Sequence, residues 1–142
     1  MGMDQYESLK LDNQLCFPLY AVSRQIVRSY TPYLKKLDLT YTQYITLMVL
    51  WEEGSVPIRK LTQRLHLDTG TMTPLLRKME ENGLVTRTRS KEDERVVMIS
   101  LTEKGWDLRE EAVKIPAQLT KCMTLSPEDT KELYRILHLL LE

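Results

Sequence analysis

The stretch from Ile58 to Thr102 constrains this chain most, because it admits one supersecondary reading from end to end. It opens with IRKLTQRL, where Ile58, Leu61 and Leu65 recur at helical spacing. A turn follows at His66 to Asp68. The next run, TGTMTPLLRKMEENG, sets Met72, Leu75, Leu76 and Met79 on one apolar stripe, with Asp68 as its N-cap and Gly83 as a left-handed stop. Two short helices joined by a tight turn predict a helix-turn-helix. Beyond Gly83, LVTRTR and RVVMISL are rich in β-branched residues, and the polar loop SKEDE between them makes a hairpin that reads as a wing. On a wheel of about 100° per residue, Gly70, Thr73, Pro74, Arg77 and Glu81 lie opposite the stripe. That face is small and uncharged near the helix start, which lets a helix go deep into a major groove. Pro74 removes one backbone hydrogen bond and crowds the carbonyl of Gly70. The second helix is therefore expected either to start near Thr73 or to have a distorted first turn.

Charge points the same way. Residues 58 to 97 hold nine Lys and Arg (Arg59, Lys60, Arg64, Arg77, Lys78, Arg87, Arg89, Lys91 and Arg95) against six acids, while the whole chain balances 20 against 20. The winged unit is basic and the remainder acidic, so only the segregation carries a signal. A protein-docking winged helix is the competing reading of the same pattern. At 142 residues the chain reads as a single domain, 1–142. Few glycines and many methionines point to a mainly helical protein. No run of eighteen apolar residues exists, and the opening MGMDQYESLK lacks the basic-then-apolar layout of a signal peptide, so a cytoplasmic location and no membrane partner are expected. Cys16 and Cys122 then read as reduced thiols rather than a structural disulfide. There is no CxxC, no Cys/His cluster and no Gly-rich phosphate loop, so no metal, cofactor or catalytic site is expected.

Outside the winged unit the chain reads as helices. From Leu15 to Leu37, apolar or aromatic residues at 15, 19, 22, 26, 30, 33 and 37 recur at spacings of four or three, a heptad-like seam. Such a seam in so small a protein asks for a partner subunit. Pro18 is tolerable near the first turn, which places Cys16 at or just ahead of the helix start, and Pro32 is expected to kink or interrupt the far end. Thr40 reads as the cap of a helix that buries Tyr44, Leu47, Met48 and Trp51 and stops at Gly54. Thr102 can cap a helix, EKGWDLREEAVKIPAQLTKCM, weakened or bent at Pro116. Ser126, Pro127 and Asp129 form a capping pattern for a last helix whose stripe is Leu133, Ile136, Leu137, Leu140 and Leu141. Both chain ends thus predict a helical homodimer interface, about 11–40 and 103–142, around a winged helix-turn-helix at about 41–102. His66 and His138 have only structural readings.

The order helix, helix, helix-turn-helix, wing, two helices resembles the MarR family of dimeric winged-helix repressors over nearly the whole chain. ENGLVTRTRSKEDERVVMISLTEKG, Glu81 to Gly105, looks like that family's wing signature, and Asp93 and Arg95 match its acid-x-Arg pair, in which the Arg enters the minor groove and the acid orients it. LDNQLCFPLYAVSR, Leu11 to Arg24, resembles the organic-hydroperoxide-sensing OhrR branch, and TPLL at Thr73 to Leu76 resembles the same branch's recognition helix. The resemblance implies that Cys16 is a peroxide sensor, that Tyr30 and Tyr41 hydrogen-bond its thiolate, and that Cys122 is the resolving cysteine of a two-Cys subgroup. Tyr20, one turn from Cys16, is a supporting or a packing residue. The double-stranded DNA operator would then meet Thr69, Thr71, Thr73, Arg77, Lys78, Arg87, Lys91, Asp93 and Arg95.

The chemistry stands beside the resemblance. A peroxide sensor needs a thiolate, and a helix N-terminus with phenolic donors favours one. Tyr30 is fourteen residues beyond Cys16, about 21 Å along a straight helix, so a site containing both requires a second, antiparallel copy of the helix. A small buried core residue is the ordinary fate of a lone Cys, and packing that of interface tyrosines. Two further functions compete: a thiol peroxidase, which leaves the basic wing idle, and a repressor released by a small aromatic ligand.

Overall fold

A computed structural model describes residues 4–142, so the first three of the opening residues read above lie outside it. The elements run α1 (Cys16–Lys35), α2 (Tyr41–Glu53), β1 (Ser55–Pro57), α3 (Ile58–Leu65), α4 (Thr69–Glu81), β2 (Val85–Arg89), β3 (Val97–Leu101), α5 (Glu103–Ala112), α6 (Ile115–Cys122) and α7 (Pro127–Leu141). Each boundary has a local cause. Thr40 and Gln43 satisfy each other's backbone N–H groups at 3.2 and 3.0 Å, a complete capping box at the start of α2. Asp68 accepts from the Thr71 N–H at 2.7 Å and caps α4. Gly83, at φ 73°, turns the chain out of α4 into the wing.

The helix-turn-helix is α3 and α4, joined through His66 in the left-handed region at φ 52°. The sheet has three strands where sequence predicts a hairpin. β1 pairs antiparallel with β3, Val56 against Ile99, and the order is β1-β3-β2. Three residues ending in Pro57 are too few to show strand periodicity.

Four expectations about helices need correction. α4 does not start late near Thr73 but at Thr69, where the Asp68 cap puts it, and runs through Pro74. Met72, Leu76 and Met79 are fully buried from this helix, and at about 1.5–3 kcal/mol each they outweigh the roughly 3 kcal/mol a mid-helix Pro costs. α1 likewise passes through Pro32 to Lys35 without interruption, its far end held by buried Leu34. Pro116 does not bend one long helix. α5 stops at Ala112 and a separate α6 starts at Ile115, with Pro116 in its first turn, where the absent N–H has no partner to lose. Met48 is 44 % exposed and Trp51 only half-buried, whereas α2 buries Gln43, Tyr44, Thr46, Leu47, Val49 and Leu50. Burial on several sides makes α2 the central helix of the core.

One joint ties the wing and α4 to the helices that follow. The Thr102 hydroxyl donates to the Gly83 carbonyl at 2.6 Å and accepts from the Gly105 N–H at 3.1 Å, so it caps α5 while holding the end of α4. Lys104 donates to the Asn82 carbonyl at 2.8 Å, and the Trp51 indole to the Gly105 carbonyl at 2.9 Å. Gly105 itself is buried, and a Cβ there would collide with the Leu84 carbonyl. By contrast α7 buries no residue.

Candidate DNA interface and thiol site

The face of α4 opposite its buried stripe is open. Thr69, Gly70, Thr71, Thr73, Pro74, Arg77 and Lys78 are all exposed, as are Arg87 in β2 and Lys91 at the wing tip. Among the described residues no carboxylate lies within ion-pair distance of Arg59, Arg77, Lys78, Arg87 or Lys91. The basic character of α3 is largely spent. Lys60 pairs with Glu53 at 2.8 Å, and Arg64 reaches Glu53 at 2.9 Å and Glu52 at 3.1 Å. The Lys60 hydrogen bond, with help from Arg64, holds the Glu53 carboxyl below the usual carboxylate range. The free positive charge therefore sits on α4 and the wing, with Arg59 alone from α3.

At the wing tip, Arg95 donates Nε to Asp93 Oδ1 and Nη2 to Oδ2, both at 3.0 Å, and its own backbone N–H also bonds Oδ1. This bidentate grip lowers the Asp93 carboxyl's pKa. Arg89 donates to the Glu94 carbonyl at 2.8 Å and stiffens the same loop. The arrangement is a guanidinium fixed on an acid and projected into solvent.

The thiol region is assembled only in part. Cys16 is the first residue of α1 and is exposed. Two 3₁₀ turns, Glu7–Leu9 and Leu11–Asn13, precede it. Asn13 and Gln14 pin them by donating to the carbonyls of Glu7 and Ser8 at 2.8 and 2.6 Å, an order that the polar composition of this segment conceals. Because α1 is one continuous helix to Lys35, Tyr30 lies about 21 Å along it from Cys16 at 1.5 Å per residue. A single chain does not bring them together. Tyr30 and Tyr41 do meet, with ring centroids 5.0 Å apart, and Tyr44 joins them at 5.7 and 6.3 Å. Tyr44 reads from sequence as core; its spacing of three from Tyr41 is the signal that places it in this cluster. Burial first, then the neighbouring phenol of Tyr30, pushes the Tyr41 pKa up, and burial with both neighbours does the same for Tyr44. Both remain O–H donors at neutral pH. Tyr20 is engaged elsewhere, its hydroxyl accepting from Arg24 at 3.1 Å. Cys122 ends α6, exposed, its Sγ 3.6 Å from the Gln118 carbonyl.

This geometry of winged helix and terminal helices has close relatives. The family model "Transcriptional regulator SarA/Rot" matches residues 28–112. The organic hydroperoxide resistance transcriptional regulator of Bacillus subtilis (strain 168) is 49 % identical over 139 residues, covering 98 % of this chain and 95 % of that protein. This chain belongs to the MarR family of winged-helix transcriptional regulators, in the OhrR branch. Among solved MarR-family structures, AbfR of Staphylococcus epidermidis in reduced form on DNA shares 34 % identity over 96 % of this chain and 95 % of that one, with a TM-score of 0.79. Its disulfide-formed structure, at 35 % identity and 97 % coverage of both chains, gives 0.67. The organohalide-sensing regulator RdhR-CbdbA1625, solved with 2,4-dichlorophenol, shares 26 % identity over 99 % of this chain and 85 % of that one, with a TM-score of 0.83. The curated relative is a transcriptional regulator, not an enzyme, so the thiol peroxidase reading is set aside. Among the described residues no helix is long and apolar enough to cross a membrane.

Proposed function

We propose that this chain is a homodimeric repressor that binds a palindromic operator while Cys16 is reduced and leaves it when an organic hydroperoxide oxidises Cys16. The observation that carries this reading is the exposed thiol at the N-terminus of α1, in a chain whose OhrR-branch relative is named for organic hydroperoxide resistance. Residues 11–40 and 103–142 form the dimerisation region and residues 41–102 the DNA-binding region. Each subunit places α4 in a major groove, with Arg77, Lys78, Arg87 and Lys91 at phosphates or base edges and the Arg95 fork in the minor groove. AbfR, solved both reduced on DNA and with its disulfide formed, supports the two states.

In the sensing step the Cys16 thiolate attacks the terminal oxygen of ROOH. The O–O bond breaks, an S–OH bond forms, and the alkoxide takes a proton and leaves as ROH. In the second step the thiolate of Cys122 in the partner subunit attacks the Cys16 sulfur and expels hydroxide, which leaves as water and closes a disulfide. With α1 antiparallel to its copy, the Tyr30 and Tyr41 phenols of one subunit reach the Cys16 of the other and donate to its thiolate. Drawing the ends of α1 and α6 together shifts the helices that carry the wings, and the half-site spacing is lost.

The test compares wild type, Cys16→Ser and Cys122→Ser on a non-reducing gel and in operator binding, each with and without cumene hydroperoxide. Wild type runs as a crosslinked dimer and leaves DNA, Cys16→Ser does neither, and Cys122→Ser forms no crosslink. Wild type that keeps full operator affinity after oxidation sinks the proposal. The structural likeness to RdhR-CbdbA1625 favours a second reading, release by a small aromatic ligand. Release of the Cys16→Ser protein by 2,4-dichlorophenol would establish it.

A further inference from the structure

Resting on the DNA-binding reading above, we infer that the first half of α4 selects its operator by apolar contact with thymine methyl groups, through Thr73 and Pro74, rather than by hydrogen bonds to base edges. The inference comes from what this surface has left to offer. Bidentate readout of guanine takes Arg or Lys, that of adenine Asn or Gln, and cytosine is read by a carboxylate. None of these is free on the first two turns of α4. The Asp68 carboxylate lies ahead of the helix, where its Oδ1 accepts from the Thr71 N–H at 2.7 Å and holds the side chain in its capping position. The Thr73 hydroxyl spends its one proton on the Thr69 carbonyl at 2.9 Å, which leaves it no proton for a base edge and turns the methyl out on an exposed side chain. Pro74, one residue on, is exposed, has no N–H and presents only ring methylenes. Gly70, on the same face, adds no side chain that would hold the backbone away. The first cation on this face is Arg77, nearly a turn later.

Charge fixes which end of the helix enters. Two acids, Glu80 and Glu81, are exposed at the far end of α4, against the single Asp68 that caps its start, so phosphates repel the far end more and its first half is the part that reaches the base edges. The flanking Thr69 and Thr71 carry hydroxyls that suit either member of a base pair and discriminate little. The chemistry left in the centre complements one base-edge feature, the C5-methyl of thymine.

Operator duplexes are first recovered by selection of the reduced protein on random-sequence DNA. Each thymine of a recovered half-site is then replaced by deoxyuridine, which removes the methyl and keeps the pairing. At one or two positions per half-site the affinity of wild type falls roughly three- to fivefold, the worth of one buried methyl. Thr73→Ser keeps the hydroxyl and its bond to Thr69 but removes the methyl, so its affinity no longer changes with deoxyuridine at one of those positions. Pro74→Ser, which replaces the ring by a polar side chain, loses the response at a neighbouring one. Tight binding that ignores every thymine-to-deoxyuridine change overturns the methyl readout and leaves DNA binding standing. Failure to recover any salt-sensitive duplex overturns the DNA-binding reading itself.

Discussion

Arg95 is 90 % exposed at its side chain, yet it is held at two points by Asp93. A long cation free in water loses rotamer freedom when it binds, whereas one already fixed on an acid loses less. Arg95→Ala is expected to weaken operator binding and to lower the slope of log affinity against log salt by about 1, the signature of one lost phosphate or groove contact. Asp93→Asn, which frees the fork but keeps the cation, should weaken binding less and leave the slope nearly unchanged. The pH dependence has a definite sign. The Asp93 pKa in the folded chain lies below its unfolded value, so the ordering is fully present above the ordinary Asp range and is lost as pH falls through the lowered value. This pair therefore contributes no change in operator affinity between about pH 6 and 8. Titration of affinity in that window, with Arg95→Ala as reference, checks the claim.

At the scale of elements, α4 departs furthest from local rules, and the departure is informative. Pro74 leaves the Gly70 carbonyl without its helical partner, a loss that a DNA-reading surface has reason to tolerate and a purely structural helix does not. Pro74→Ala restores that bond and should stabilise the protein by about 1–3 kcal/mol in urea denaturation. A destabilised variant would mean that the ring packs something the exposed face does not reveal. Caps and stops were legible in sequence because each is a local bargain between neighbours: Thr40 with Gln43, Asp68 with Thr71, Ser126 with Asp129 at 3.0 Å. What was not legible depends on residues far apart. β1 exists because β3 lies beside it, Trp51 is anchored by a carbonyl 54 residues away, and Lys60 and Arg64 are neutralised by acids of the preceding helix. Sequence proximity to the turn made those two cations look like part of a DNA footprint, and only packing assigns them to α2. The candidate site divides the same way. The α4 and wing residues share one surface of one unit, whereas Cys16, Tyr30 and Cys122 belong to different ends of α1 and α6, and no single chain unites them.

The whole molecule is incomplete in the same sense, because the core is built from residues between Leu34 and Leu119 while both chain ends keep apolar faces in water. Leu15 is 75 % and Leu140 65 % exposed, and Val22, Ile136 and Leu141 are also open. A helix the length of α7 with no buried residue is not stable on propensity alone, so its order requires a partner surface. A second copy fits best, since the proposed antiparallel pairing of α1 would cover Leu15, Leu19 and Val22 and would also carry Tyr30 towards Cys16. Leu137→Asp combined with Leu140→Asp places two charges in that surface without touching the winged core. Sedimentation should then show a monomer at micromolar concentration, in which the wing and α4 keep their cooperative unfolding while the helical signal of α7 is lost. Operator affinity should fall roughly a hundredfold or more, because each half-site is then bound without the other's effective concentration. Hydroperoxide should still oxidise Cys16 but produce no crosslink, because in the proposed mechanism the Cys122 that closes the disulfide comes from the partner subunit. A variant that remains dimeric, or that crosslinks as readily as wild type, would place the interface elsewhere and detach the thiol chemistry from the surface made by α7.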